Sequence, residues 1–60
     1  MPHIAIKGPI LSLDKKRKLS EEITKIASET YEIPEEKFMI HIQEFSKEST
    51  ASGGVLLCDK

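Results

Sequence analysis

The chain has one cysteine, no tryptophan, three other aromatic residues, two histidines and three glycines. Arg17 is its only arginine. Each scarcity removes an option. Cys58 has no second thiol to pair with, so no disulfide can brace the fold, and the residue reads as a bystander thiol in a reducing compartment. Cys58, His3 and His41 do not stand at zinc-site spacing, so neither a metal nor any other cofactor is expected. No apolar run approaches the roughly 18 residues of a membrane span. No basic segment leads into an apolar signal-like stretch. These absences predict a soluble, cytoplasmic protein with no membrane partner. The net charge of -1 and isoelectric point of about 6.1 offer no global attraction to nucleic acid, so no nucleic-acid partner is expected.

What is present is sixty residues, enough for one domain spanning 1–60. A chain this short hides only about 60% of its unfolded surface, which leaves a lone monomer marginal. With disulfides and metals set aside, oligomerisation is the remaining source of burial.

From His3 to Lys7 the chain alternates, with Ile4 and Ile6 on one side and His3, Ala5 and Lys7 on the other, as in a half-buried strand. Gly8-Pro9 ends it. Ser12 is a good N-cap and Asp14 puts an acid in the following first turn. Leu19, Ile23, Ile26, Ala27 and Thr30 then recur at helical spacing, opposite Lys18, Glu21, Glu22, Lys25 and Glu29, predicting an amphipathic helix over Leu13 to Tyr31. Pro34 stops it. Lys37 to Glu44 returns to period two, with Phe38, Ile40 and Ile42 facing away from Met39, His41 and Gln43. Strand, crossover helix and strand most economically form a right-handed β-α-β unit with two parallel strands, an α/β arrangement. The helix covers one sheet face. The other, carrying Ala5, Met39 and His41, is expected to meet another subunit. Gly53-Gly54 and Val55-Leu56-Leu57 predict a short C-terminal hairpin or edge strand. Tyr31 and Phe38 are expected in the core, Phe45 in the core or an interface.

Pro2 is the residue most suggestive of chemistry. Removal of Met1 would leave a secondary amine at the chain end. An α-amino group titrates at about 7.7 to 8.0, and desolvation disfavours its charged form, so Pro2 in an apolar pocket can accept a proton near neutral pH. The competing reading is a proline that merely stiffens a strand entry.

With these elements placed, the chain resembles the 4-oxalocrotonate tautomerase family along essentially its whole length. The resemblance rests on Met1-Pro2 opening the strand His3-Ile4-Ala5-Ile6-Lys7, Lys15-Lys16 early in the single helix, Glu44 closing the second strand, and Gly53-Gly54 before an apolar arm. It implies a β-α-β protomer assembled as a homohexamer with active sites at subunit boundaries. It also implies that the trimmed proline, here Pro2, is the general base moving a proton between carbons of a small enol or keto acid resembling 2-hydroxymuconate.

The departures are equally specific. Where family members carry an arginine before the helix, a second on the second strand and an aromatic residue ahead of the diglycine, this chain has Leu11, Met39 and Thr50. Two arginines of one chain therefore cannot grip two carboxylates. Lys15-Lys16-Arg17-Lys18 opposes the helix dipole, which motivates Lys16 or Arg17 as a substrate-carboxylate ligand. The alternative is a solvated face relieved by Asp14, Glu21 and Glu22. His41 is a candidate to polarise a substrate carbonyl as a neutral donor, or else an interface histidine. His3 and Lys7 flank Pro2 and either tune it or sit exposed at a strand edge. Other functional readings are an acid-type proline enzyme such as a dehalogenase or decarboxylase, a non-catalytic oligomeric ligand binder, a protomer working beside a second kind of subunit, and a ribbon-helix-helix DNA binder. The last is disfavoured by the second strand and the acidic balance.

Overall fold

The computed structural model describes every residue from Met1 to Lys60. Alternating isoleucines make the two strands, β1 (His3–Gly8) and β2 (Met39–Glu44). They pair in parallel with His3 opposite Met39 and Gly8 opposite Glu44. Two further backbone bonds extend the ladder, Met39 N–H to the Pro2 carbonyl at 3.0 Å and Phe45 N–H to the Gly8 carbonyl at 2.9 Å. Ile4, Ile6, Ile40 and Ile42 are half-buried on one face, while His3, Ala5, Lys7, Met39, His41 and Gln43 lie exposed on the other.

The crossover is α1 (Leu13–Tyr31), capped by Ser12, whose hydroxyl accepts from Lys15 N–H at 3.3 Å. The half-buried helical positions are Lys16, Leu19, Ser20, Ile23, Thr24, Ala27 and Ser28. This stripe differs from the expected one: Ile26 is 64% exposed and Thr30 is exposed. A two-stranded sheet is too narrow to cover a wide helical face, so residues flanking the stripe overhang it. The helix ends at Glu32, held in the left-handed region at φ 59°, with its N–H on the Ser28 carbonyl at 2.9 Å. Ser28 Oγ donates to the Ile33 carbonyl at 2.6 Å and completes the stop.

After Pro34, Glu35–Lys37 forms a 3-10 turn, so the second strand begins two residues later than the alternation suggested. Phe38 at this junction is the single buried residue of the chain. Tyr31, expected in the core, is 64% exposed and leans its ring on Phe38 with centroids 6.0 Å apart. A second 3-10 turn, Lys47–Ser49, leads into an antiparallel hairpin of β3 (Ala51–Ser52) and β4 (Val55–Leu56). Its two-residue loop needs Gly53 and Gly54, at φ 62° and 83°, because both central positions of such a turn lie in the left-handed region. Leu57–Asp59 closes the chain in another short turn.

The radius of gyration is 14.8 Å and the molecule measures 44 × 24 × 14 Å, whereas a compact chain of this length has a radius of about 10 Å. Met39, Phe45, Val55 and Leu56 are each more than a third exposed, and Ile10 and Leu13 more than half. The protomer is a slab with a thin apolar layer rather than an enclosed core.

Candidate active site

Pro2 sits at the N-terminal end of the parallel pair, half-buried, its carbonyl anchored by Met39 N–H. Its ring nitrogen is joined to Met1, so it is an amide until Met1 is removed.

One residue further, His3 meets His41 across the sheet. Nδ1 of His3 lies 3.0 Å from Nε2 of His41, and the near-parallel rings have centroids 5.3 Å apart at 10°. That centroid separation equals the nitrogen-to-nitrogen distance plus the two ring radii. The nitrogens therefore point at each other along the line of centres, and the rings meet edge to edge rather than face to face. Such a bond needs one ring to donate its N–H and the other to accept. Both are exposed, between Ala5 and Met39 on the uncovered sheet face.

The helix entrance is organised by Glu44. One of its carboxylate oxygens accepts the backbone N–H of Leu11 at 2.9 Å, and the other takes the ammonium of Lys16 in a short ion pair. The Lys16 hydrogen bond above all, then the Leu11 N–H, holds the Glu44 carboxyl below its ordinary value against a smaller opposing effect of burial. Lys16 thus faces the end of β2, from the helical stripe that rests on the sheet. Arg17 turns outward to Asp14, Nη1 to Oδ1 at 2.9 Å, with both side chains mostly exposed. The two cations marked out as carboxylate ligands each hold an acid of this chain. His41 lies on the face away from both.

Of the three departures, Leu11 donates to Glu44, Met39 lies 44% exposed on the outer sheet face, and Thr50 donates its hydroxyl to the Ser46 carbonyl at 3.0 Å. Thr50 also lines a cavity of about 370 Å³ with Lys7, Pro9, Phe45, Lys47 and Leu57. This cavity lies at the C-terminal end of the strand pair, the end remote from Pro2. Residue-by-residue reading named Lys7 only as a neighbour of Pro2 and passed over Lys47. Neither belongs to a local motif, and their common lining depends on how the segment after β2 folds back over Gly8-Pro9.

The sequence pattern described as tautomerase enzyme matches residues 2–60. The chain belongs to the tautomerase family. A probable tautomerase of Bacillus cereus is 38% identical over 61 residues, with both chains covered completely. Among solved structures, a 4-oxalocrotonate tautomerase homologue superposes with a TM-score of 0.88 at 30% identity, covering 100% of this chain and 97% of its own. DmpI from Archaeoglobus fulgidus superposes at 0.84 with 34% identity, covering 97% of this chain and 100% of its own. Family and fold together carry a tautomerase-type function, and the parallel pair, single helix and terminal hairpin are the tautomerase architecture.

Proposed function

We propose that this tautomerase moves a proton between carbon atoms of a small enol or keto acid, a 2-hydroxymuconate-like compound, with the nitrogen of Pro2 as general base once Met1 is removed. The observation that carries this reading is where the family pattern begins: at Pro2, the half-buried residue whose carbonyl is pinned to β2. That bond fixes the Pro2 carbonyl at the end of the sheet. An unprotonated amine there takes the carbon-bound proton, and the dienolate that forms requires a donor or cation at its oxygen.

The same reading includes assembly in the cytoplasm. One buried residue in sixty cannot hold such a chain folded alone, and the exposed face with Ala5 and Met39 supports packing of further copies, as a homohexamer. Assembly also answers a distance problem. Pro2 and the cavity are separated by the length of β1, roughly 17 Å at 3.3 Å per residue, too far for one small substrate. Pro2 of one copy is therefore proposed to work beside residues of another.

The pairing of Arg17 with Asp14 favours a second reading, a binding protein that keeps the scaffold without the chemistry. Comparing 2-hydroxymuconate ketonisation by the native protein and Pro2→Ala, after intact-mass confirmation that Met1 is gone, decides between them. Equal rates would remove Pro2 as the base.

A further inference from the structure

Lys16 and Arg17 each stand beside an acid of this chain, and further cations able to hold a ligand's negative charge lie elsewhere. Lys7 and Lys47 both line the cavity at the C-terminal end of β1 and β2, and neither forms an ion pair within the chain. No acidic side chain lines this cavity. Its walls include Phe45, Leu57 and Pro9, and its volume of about 370 Å³ lies at the small end of the range for small-molecule sites, roughly 300–1,000 Å³. Thr50 lines the space with a short side chain.

From this combination we infer that the cavity binds one carboxylate end of a small organic acid with a short planar or apolar body. The carboxylate lies between the ammonium groups of Lys7 and Lys47, and the body lies against Phe45 and Leu57. Two lysines suit this ligand because each gives a mobile point charge to one oxygen, without the fork geometry that arginine demands. Two cations beside an apolar wall with no acid favour an anionic ligand over a neutral or cationic one. As a binding site the assignment stands alone; as the substrate-carboxylate holder of the reaction it rests on the tautomerase reading above.

Benzoate titrated into the ¹⁵N-labelled native protein is the direct test, because benzoate has no enol or acidic carbon and binds without turnover. The expected result is amide shifts centred on Ser46, Lys47 and Thr50, with no response to benzamide. Lys7→Gln and Lys47→Gln should each weaken benzoate by about tenfold, the size of one lost charge-assisted hydrogen bond. Thr50→Phe should abolish binding by filling the space while both lysines remain. Shifts that map elsewhere, or affinity unchanged in both lysine variants, overturn the assignment. The activity assay separates this failure from the other one. Unchanged KM for 2-hydroxymuconate in both lysine variants of an active enzyme removes the lysines as substrate holders and leaves Pro2 catalysis intact. Lysine-dependent benzoate binding alongside equal rates for native protein and Pro2→Ala removes proline catalysis and leaves the site.

Discussion

Glu44 and Lys16 stand 28 residues apart in the chain, and their ion pair closes the junction between the end of β2 and the first turn of α1. Because the same carboxylate accepts the Leu11 N–H, it also fixes the backbone entering the helix. Protonation weakens both contacts. The folded-state pKa is lowered, so this contribution to stability is fully present above the ordinary glutamate value of about 4.3. It disappears as pH falls from there through the folded value. Thermal melts between pH 7 and pH 3 should show a declining acid limb, and Glu44→Gln should lower the neutral-pH Tm and flatten that limb. An equally steep limb in the variant places the acid sensitivity elsewhere.

Replacement of Pro2 by alanine exchanges a secondary amine for a primary one and removes the ring that sets its direction. Ketonisation should drop by about 10²- to 10⁴-fold, the usual worth of a positioned general base. In the native enzyme kcat/KM should decline as pH is lowered, because protonation removes the lone pair. A decline on raising the pH instead would indicate an acid role for the proline.

Met39→Asp places a charge at the N-terminal end of the exposed sheet face, opposite His3 and next to the histidine pair. If copies pack through this face, sedimentation mass should fall toward that of the 6.8 kDa protomer, and the melting temperature should become lower and independent of concentration. An unchanged particle mass assigns the assembly surface to another part of the slab, such as the hairpin.

Glu32 is the one non-glycine residue in the left-handed region, at a helix-ending position where glycine is the usual occupant. A left-handed backbone costs an ordinary residue about 1–2 kcal/mol, partly offset by the greater unfolded-state freedom of glycine. Glu32→Gly should therefore stabilise the folded state by about 0.5–1 kcal/mol in denaturant titrations. Destabilisation would mean that the Glu32 side chain contributes more than its backbone strain removes.

The two strands were legible because Ile4/Ile6 and Ile40/Ile42 alternate against polar neighbours, and strand period is a local property. Ser12 and Pro34 bracketed the helix correctly for the same reason. Its rotation was not legible: Ile26 and Leu19 look alike in a hydrophobic pattern, and only the narrowness of the sheet decides which is covered. Lys16 lies three residues before Leu19 and seven before Ile23, on the stripe that meets the sheet, so its placement inward was available in outline. Its partner Glu44 required the register of β2. His3 and His41 were each weighed alone, since their meeting depends on a two-residue diagonal across strands 38 positions apart in sequence. The cavity was least accessible, because Lys7 and Lys47 come together through a fold-back that no spacing rule encodes.

The placement of Pro2 and the cavity lined by Lys7 and Lys47 at opposite ends of the strand pair has a corollary for mixed assemblies. If Pro2 of one copy works beside Lys7 and Lys47 of another, as proposed above, a chain lacking the base and a chain lacking the lysines are each defective in a different half of a shared centre. Mixed and reassembled, Pro2→Ala and a Lys7→Gln/Lys47→Gln double variant should regain part of the turnover that neither has separately, because some junctions will receive both intact halves. The yield of rescue should follow the binomial statistics of random subunit shuffling.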